Sequence, residues 1–280
     1  MAKKAVRIGI VAASSPYSQE VATRVERLAA SLFPDNPPEL IVHPSSFHSH
    51  GHFAGTDTER CNAFLEIAND PDIDALWFAR GGYGACRIAE TALKGLKSEA
   101  REKIYLGYSD AGVMLAGLYT AGCSVAHGPM CQDIVRNDGE AAIERALRWL
   151  VERDSASLEP SLADGQPAAA FNMITLSQIL GTSLQPDLRN HVLMLEEISE
   201  YMYKIDRTMH HITANPEIRK VAGIRLGRCG DITPNDTDFR MTEEAVVKEW
   251  CDRSGIPYLG RADIGHDAAN RIVPFGPRPA

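Results

Sequence analysis

The sequence predicts an α/β protein, with an open and mostly parallel sheet in an N-terminal domain and a smaller barrel-like α+β domain after it. Strands alternate with helices over residues 1–155, a pattern typical of parallel strands joined by crossover helices. The stretch 156–170 is rich in Ser, Pro, Ala and Gly without clear periodicity, and we interpret it as a linker. Residues 171–280 then form the second domain. In such a fold, ligands bind at the carboxyl ends of the parallel strands.

Strands and helices follow one another in regular order in the first domain. The helix at 18–33 has Val21, Val25, Leu28 and Leu32 on one face, which is helical spacing. The other elements are strands in VRIGIVAASS (6–15), PELIVHPSS (38–46), DALWFARGGYG (74–84), KIYLGYSD (103–110) and CSVAHGPM (123–130), a helix at 55–70 capped by Thr56 or Asp57, a helix after Asp110, and a helix at 139–152. This repetition predicts a sheet covered by helices on both faces.

Shorter apolar runs mark the second domain. They occur in HVLMLEEI (191–198), AGIRLGRC (222–229) and IPYLGRADIG (256–265), and helices at 205–216 and 241–255 separate them. The sequence contains no internal repeat and no low-complexity segment. This pattern predicts the smaller α+β or barrel-like domain.

Composition narrows the class of partner. The 280 residues carry a formal net charge of −8, and no basic run is longer than two residues. Nucleic acid and anionic membranes are therefore disfavoured, and a small soluble ligand is expected. No apolar run approaches the roughly 20 residues of a membrane span, and the apolar stretch before Ser14 is too short for a secretion signal. We therefore expect a cytoplasmic protein.

The six cysteines are scattered, without a CxxC pair or a histidine at metal-finger spacing. This pattern is typical of reduced and mostly buried thiols. None of them lies at a strand-to-helix turn beside glycines, so a cysteine nucleophile is disfavoured. We expect neither a cofactor nor a metal ion.

Two glycine-containing turns end successive strands of the predicted sheet. In IYLGYSDAG (104–112) an apolar strand runs into a sharp turn at Ser109 and then into a helix, which would expose a serine at the sheet edge. Ser109 and Asp110 are also ordinary helix-capping residues, and that is the alternative. RGGYG (80–84) ends the preceding strand, and its amides could hold a developing oxyanion or only form a tight turn. No phosphate-binding loop motif is present.

A serine nucleophile needs a base, and nine histidines are available. Three of them alternate in HSHGH (48–52), where a metal site is possible but an exposed loop is favoured, because no cysteine or acidic ligand accompanies them. His210 and His211 lie on an amphipathic helix, which favours a structural or surface role. His127 ends a strand near the sheet edge, and His266 follows a glycine in a turn of the second domain. The turn slightly favours His266.

The base in turn needs an orienting carboxylate. Glu196 and Glu197 stand at the end of the apolar run HVLMLEEI. Because successive strand residues face opposite sides of a sheet, at most one of them can serve a given site. The alternative is a solvated loop end.

The motifs RGGYG, GYSD, HGPM, FN, VLMLEE with IDR after it, and IGHDAAN followed by Pro274 occur in this order over nearly the whole chain. Together they resemble the LD-carboxypeptidase (muramoyltetrapeptide carboxypeptidase) family of serine peptidases. The resemblance implies that Ser109 is the nucleophile, that His266 is the base and that Glu196 orients it. It also implies an oxyanion hole made by the backbone amides of Gly82 and Asp110.

The same resemblance implies a reaction. The protein would remove the terminal D-alanine of murein tetrapeptides by hydrolysing an L,D-amide bond during cell-wall recycling, as a homodimer with its site between two domains. Two features depart from the family pattern: Phe171 stands where a glycine usually precedes Asn172, and residues 155–170 are short for a substrate-side loop. The alternatives are a microcin C-type peptidyl- or aminoacyl-nucleotide hydrolase (a self-immunity peptidase), a non-catalytic muropeptide-binding protein, and a metal-dependent hydrolase that uses the HSHGH histidines.

Overall fold

The structure is a computed structural model and describes residues 4–162 and 165–277. These residues form a six-stranded sheet and a four-stranded sheet, both accompanied by helices. The larger sheet is parallel except for one short edge strand, and the smaller sheet is parallel throughout. This confirms the predicted α/β class with a mostly parallel first sheet and a second, smaller domain, and the sheet of that second domain is open rather than barrel-like. No helix of the described ranges is both long enough and apolar enough to cross a bilayer.

Alternating strands and helices build the first sheet. They are β1 (Arg7–Val11), α1 (Gln19–Leu32), β2 (Glu39–Val42), α2 (Asp57–Asn69), β3 (Ala75–Phe78), α3 (Ala85–Lys94), β4 (Ile104–Gly107), α4 (Gly112–Thr120), β5 (Ser124–His127) and α5 (Gly139–Glu152). Thr56 caps α2, where its hydroxyl accepts from the Glu59 amide and the Glu59 carboxylate accepts from the Thr56 amide. Because β3 and β4 are neighbours, the turns at their carboxyl ends lie side by side.

The second sheet repeats the pattern on a smaller scale. Its elements, with the last strand of the chain, are β6 (Ala168–Asn172), α6 (Met173–Ile179), β7 (Val192–Ile198), α7 (Met202–Ala214), β8 (Gly223–Gly230), α8 (Glu243–Ser254), β9 (Tyr258–Arg261) and β10 (Val273–Pro274). The strand order is β6-β7-β8-β9 in this sheet and β10-β5-β4-β3-β1-β2 in the first. The second sheet is thus open, with β6 and β9 at its edges.

Two helices, α3 and α6, are absent from the sequence prediction. The pattern in RGGYG predicts a strand that runs into glycines, with no helix after it. Three of the four residues that α3 buries are alanines, Ala85, Ala89 and Ala92, so its hydrophobic periodicity is weak in the sequence. The second helix, α6, has only seven residues and starts directly after a strand.

β6 begins inside the stretch that the sequence predicts as a linker. All five of its residues, AAAFN, are buried, so no polar and apolar alternation marks the strand, and alanine is a weak strand former. Residues 163–164 of the predicted linker lie outside the described residues. The domain boundaries at 155 and 171 stay predictions.

The last part of the chain returns to the first sheet. β10 pairs antiparallel with β5, and Val273 lies opposite His127. The predicted second domain, residues 171–280, therefore contributes β10 to the first sheet, in addition to β7, β8 and β9 of the second. This return carries the histidine loop, residues 263–271, to the carboxyl edge of β4 and β5, where His266 contacts Ser109.

One hydrophobic core extends from the first sheet to the second. It includes Leu115 of α4 together with Phe171 and Met173 of the second part of the chain. A Cβ atom on Gly112 would lie 3.2 Å from Thr175 Cγ2, so α4 and α6 approach closely. This packing fixes the start of α4, and hence the serine turn before it, relative to the second sheet.

Candidate active site

The serine turn, residues 107–110, follows β4 and precedes α4. Ser109 has a φ of +57°, a conformation that few residues other than glycine adopt and that is typical of a nucleophile at a sharp strand-to-helix turn. Gly107 is required here because a Cβ atom would lie 2.8 Å from Phe78 Cδ2 and 3.1 Å from Ala111 Cβ. The tight turn thus places the Ser109 hydroxyl at the carboxyl edge of the sheet.

His266 joins Ser109 to a buried carboxylate. Its Nε2 lies 2.9 Å from Ser109 Oγ, and its Nδ1 lies 2.5 Å from Glu196 Oε2. The side chain of His266 is 8% exposed and that of Glu196 is fully buried. An ionised carboxylate only accepts, so Nδ1 carries the proton and Nε2 is left to accept from the Ser109 hydroxyl. These three residues therefore form a continuous chain of hydrogen bonds.

The charge of Glu196 also acts on the titration of His266. Burial lowers the pKa of the imidazole, but the charge of Glu196 and its hydrogen bond outweigh this effect, and the net pKa lies above its ordinary value. The charge of Glu197 adds to the increase. The environment of His266 therefore stabilises the imidazolium.

The glycine loop, residues 80–84, lies against the serine turn. A Cβ atom on Gly81 would be 3.1 Å from Ser109 Oγ, and Gly82 has a φ of +106°. The backbone amides of Gly82 and Asp110 donate to no acceptor within the described residues. Two amides on the turns around Ser109 are thus free to bind an anionic oxygen.

The Asp110 side chain fastens the two turns together. Its Oδ2 accepts from the hydroxyl of Ser14, three residues after β1, and from the amide of Ala85 at the start of α3, at 2.8 Å. Burial raises the pKa of this carboxyl group, while its hydrogen bonds to Ser14 and Ala85 oppose the increase. The side chain therefore holds the glycine loop next to the turn that carries Ser109.

Glu197 has different partners from those of Glu196. Its carboxylate accepts a hydrogen bond from Asn172 Nδ2 at 2.6 Å. It also accepts from the backbone amides of Ile174, at 3.0 Å, and of the next residue, Ile198, at 2.9 Å. Burial raises the pKa of Glu197 to about 7. The two consecutive glutamates thus serve different parts of the structure, as expected for successive strand residues.

His127 lies near Ser109 but is bonded differently. It is buried at the end of β5, and its Nε2 lies 3.1 Å from Asn270 Oδ1. Burial lowers the pKa of His127 to about 4. Its ring also packs edge-on against Tyr108, whose ring centroid is 5.5 Å away. The imidazole is therefore neutral, and it is engaged with Asn270 in this structure.

The remaining histidines singled out in the sequence lie elsewhere. His48 is half-exposed and bonds to Glu59 at 3.2 Å, while His52 lies 3.4 Å from Ser15 Oγ. His210 packs against Trp250 on the second sheet's helices. Across residues 4–162 and 165–277, no group of three or more histidine, cysteine or acidic side chains is arranged to hold a metal ion.

A cleft of about 640 Å³ opens over Ser109 and His266. It lies between the first sheet, which contributes the glycine loop and the serine turn, and the second sheet, which contributes Asn172 and Glu197. Tyr83 also lines the cleft and is 51% exposed. Another cavity of similar volume, about 650 Å³, is lined by Tyr119, Trp149 and Phe275 and contains none of the residues described above.

Sequence reasoning assigned no role to two buried asparagines near the site. Asn172 caps α6, where its Oδ1 accepts from the Thr175 amide, and also donates to Glu197. Asn270 accepts from the Gly265 amide and contacts His127. Both residues belong to motifs of the resemblance, FN and IGHDAAN, and their place in these short motifs is the signal that could have identified them.

A serine, a histidine and a carboxylate bonded in this order at the edge of an α/β sheet are typical of the serine hydrolase class. Within this class, the chain belongs to the LD-carboxypeptidase family. Residues 8–128 match the LD-carboxypeptidase N-terminal domain, and residues 169–279 match the C-terminal domain. The family resemblance found in the motifs is thereby confirmed.

Individual relatives agree with this assignment. A Synechocystis sp. protein with a carboxypeptidase name is 30% identical over 242 residues, which are 84% of this chain and 79% of the relative. A Bacillus subtilis protein, named a probable murein peptide carboxypeptidase, is 27% identical over 245 residues, which are 83% of this chain and 76% of the relative. The match extends over most of each protein.

Solved structures have the same fold. The muramoyltetrapeptide carboxypeptidase from Oxalobacter formigenes superposes with a TM-score of 0.78 at 23% identity, over 96% of this chain and 93% of that one. The Microcin C7 self-immunity protein MccF, in complex with aspartyl sulfamoyl adenosine, superposes with a TM-score of 0.79 at 20% identity, over 98% and 92%. The fold alone therefore does not distinguish between a peptide and a nucleotide conjugate as substrate.

Proposed function

We propose that this protein is a serine carboxypeptidase that removes the terminal D-alanine of murein tetrapeptides by hydrolysing an L,D-amide bond. The observation that carries the proposal is the hydrogen-bonded chain from Ser109 through His266 to Glu196 at the floor of the cleft. Family membership and the relatives named as murein peptide carboxypeptidases support the substrate class. The proposal includes a cytoplasmic role in cell-wall recycling and a homodimer, as the family resemblance implies.

In this proposal each of the three side chains has one role. Ser109 Oγ attacks the carbonyl carbon of the scissile amide, and His266 Nε2 takes the hydroxyl proton. Glu196 keeps the proton of the neutral imidazole on Nδ1 and stabilises the imidazolium that forms. His266 then gives its proton to the leaving amine of D-alanine, and water attacks the acyl-enzyme with His266 again as base.

The free amides of Gly82 and Asp110 receive the negative charge that develops on the carbonyl oxygen. They belong to two turns that are fixed to each other, by the approach of Gly81 to Ser109 and by the side chain of Asp110. Preorganised donors of this kind contribute roughly 2.7–4 kcal/mol each to transition-state stabilisation. This role uses backbone groups, and position 82 has to be glycine, because its φ is +106° and a Cβ atom there would overlap the Ser15 side chain.

A mass spectrum of a murein tetrapeptide incubated with the protein tests the proposal. We expect the loss of one alanine residue, unchanged by a chelator and blocked by a fluorophosphonate, which phosphonylates active serines with release of fluoride. The non-catalytic binding protein would be favoured by three results together: the peptide binds tightly, it loses no alanine, and Ser109 is not labelled. Loss of activity on chelation would favour the metal-dependent alternative.

Replacing Glu196 by glutamine is expected to reduce kcat by about 10⁴-fold, because the neutral amide no longer stabilises the imidazolium or fixes its tautomer. Neutral His266 is the active form, so kcat/KM falls as the pH drops through its pKa. In the wild type Glu196 raises that pKa against the effect of burial. Without this charge, the effect of burial is less opposed and the pKa of His266 falls. The acidic limb of the profile therefore moves to lower pH.

The control for this pH profile is Glu197→Gln, because Glu197 also titrates near pH 7. If the acidic limb reports His266, it should remain in Glu197→Gln and move to lower pH by less than in Glu196→Gln, because the charge of Glu197 makes a smaller contribution to the pKa of His266. An acidic limb that disappears in Glu197→Gln, or that moves to higher pH in Glu196→Gln, would contradict the assignment. Both profiles are measured as kcat/KM with the tetrapeptide between pH 4 and 9, roughly the range over which histidine and buried carboxyl groups titrate.

The released residue is expected to be D-alanine, with the L-alanine isomer cleaved about 100-fold more slowly, because the inverted methyl group would meet packed atoms in a cleft between two sheets.

Aspartyl-adenylate analogues are expected to be poor substrates. A nucleobase binds best on an aromatic surface, and the three tryptophans lie outside the cleft. Tyr83 is the aromatic side chain within the cleft and favours the nucleotide alternative.

A comparison of kcat/KM for the tetrapeptide, its L-alanine isomer and an aspartyl-adenylate analogue decides between the two substrates. Faster cleavage of the adenylate would favour the microcin C-type hydrolase. The matched variant is Tyr83→Ala, which should reduce adenylate cleavage more than tetrapeptide cleavage if Tyr83 stacks on the base. Equal cleavage of both isomers would contradict a stereospecific pocket.

A further inference from the structure

His127 and Asn270 connect the strand region behind Ser109 with the histidine loop. His127 lies between β4 and β10: it is in register with Gly107, two residues before Ser109, and opposite Val273, which follows the histidine loop. Both His127 and Asn270 are essentially inaccessible to solvent. The two side chains come from positions 143 residues apart, and their contact therefore depends on the tertiary fold.

The hydrogen bonds determine which atom of each side chain donates. The Gly265 amide lies 3.2 Å from Asn270 Oδ1, and a backbone amide can only donate, so an oxygen must face it. His127 Nε2 lies 3.1 Å from the same oxygen and therefore carries the proton. Burial keeps this imidazole neutral, with its pKa at about 4, so Nδ1 is unprotonated. His127 thus donates from Nε2 and is not placed to accept the Ser109 proton with that atom.

We propose that His127 is a positioning residue: it holds Asn270, and through Asn270 the Gly265 amide, so that the adjacent His266 stays within reach of Ser109. This inference rests on the proposed function and adds to it. The resulting clamp consists of His127, Asn270 and the Gly265 amide. It joins the end of β5, beside the strand that carries the serine turn, to the residue directly before the base.

Two arginines hold other parts of the histidine loop. Arg228 of β8 bonds to the carboxylates of Asp263 and Asp267, and Arg145 of α5 donates to the carbonyl oxygens of Ala268 and Asn270 at 3.0 and 2.9 Å. These contacts fix the start and the end of the loop to other elements. Arg228 thus holds the residue that follows His266, and the clamp holds Gly265, the residue that precedes it.

The test compares two replacements of His127. His127→Leu removes the donor at similar volume, and we expect kcat to fall about 10–100-fold with KM little changed, because a small displacement of a catalytic group has effects of this size. His127→Gln can place an amide N–H near the position of Nε2, and we expect it to restore kcat to within about 5-fold of wild type, as partial replacement of a supporting hydrogen bond allows. The rate at which a fluorophosphonate labels Ser109 should follow kcat in both variants.

A double-mutant cycle tests whether the two side chains act as one unit. Asn270→Ala leaves the Gly265 amide and His127 Nε2 without their acceptor and should reduce kcat as much as His127→Leu does. The double variant should lose no more kcat than either single variant, because the effects of replacing residues that act in one chain of interactions are not additive. If His127→Leu does not fold, Asn270→Ser, which retains His127, takes its place.

His191→Leu is the matched control. His191 is also a buried histidine, and its Nε2 lies 2.8 Å from the Tyr119 hydroxyl, outside the cleft. This variant should lose thermal stability while kcat and the labelling rate stay at the wild-type level. An equal loss of kcat in His191→Leu would show a general effect of destabilisation and overturn the proposal.

Three other outcomes would overturn the clamp: wild-type kcat in His127→Leu, equal loss in His127→Gln and His127→Leu, or multiplicative losses in the double variant. Labelling of Ser109 needs no peptide and so separates the clamp from the proposed function. If the wild type is labelled but does not cleave the tetrapeptide, the proposed substrate is wrong, and the labelling rates still decide whether the clamp exists.

Discussion

Ser109→Ala is expected to reduce kcat for tetrapeptide cleavage by about 10⁶-fold, because the three residues of a hydrogen-bonded triad act as a unit and the nucleophile has no substitute. The fold should be retained. Alanine keeps the Cβ atom that already occupies the positive-φ position, and the hydroxyl of Ser109 bonds to His266 alone within the described residues. Substrate binding should also be retained, since the cleft loses a single oxygen atom.

The measurement combines the rate of alanine release, the dissociation constant of the tetrapeptide and the melting temperature. Ser177→Ala is the matched control: its buried hydroxyl donates to the Ile174 carbonyl in α6 and does not line the cleft. The control should keep wild-type kcat. Turnover near the wild-type level in Ser109→Ala would contradict a serine peptidase mechanism.

Most of the fold could be predicted because each element carries its own local signal. The spacing of Val21 and Val25 predicts α1, and the repeated strand-helix order predicts a parallel sheet. Where the signal is absent the prediction fails. β6 is buried on both faces and has no alternation, and β10 has only two residues, whose pairing with β5 depends on the path of the whole chain.

The candidate site was only partly accessible from local patterns. The turn at Ser109 and the alternation at Glu196 and Glu197 follow from the sequence, since they depend on residues within one strand or turn. The choice of His266 over His127 as the base does not follow from the local sequence, because each of the two histidines comes after an apolar stretch and next to a glycine. The family resemblance supplied that choice, and the structure adds the distances from His266 to Ser109 and Glu196.

The supporting contacts could not be derived from the sequence at all. Asp110 reaches Ser14 across 96 residues, and Asn270 reaches His127 across 143. No periodicity or spacing records such pairs, because they form only when separate strands reach the same sheet edge. A polar residue in a short motif indicates that some role exists, but its partner emerges only from the fold.

His266→Ala is expected to reduce kcat about as much as Ser109→Ala, by about 10⁶-fold, because without a base the serine hydroxyl is a weak nucleophile at neutral pH. It should also leave Glu196 buried with both carboxylate oxygens unpartnered, since Glu196 Oε1 has no partner in the described residues and Oε2 bonds to His266. An unpaired buried carboxylate takes up a proton or destabilises the fold, so the melting temperature should fall as the pH rises above the ordinary range of a carboxyl group.

His127 provides the comparison that makes the assignment of the base decisive. It is more deeply buried than His266 and lies at the same sheet edge, but its Nε2 donates to Asn270, so its loss should cost only about 10–100-fold in kcat. Alanine release and Ser109 labelling are measured for His266→Ala and His127→Leu side by side. The difference of about four to five orders of magnitude in kcat separates a group that takes the proton from one that positions it. Activity retained in His266→Ala and lost in His127→Leu would reverse the two roles, and the hydrogen bond from His127 to Asn270 would then have to break before the serine could be activated.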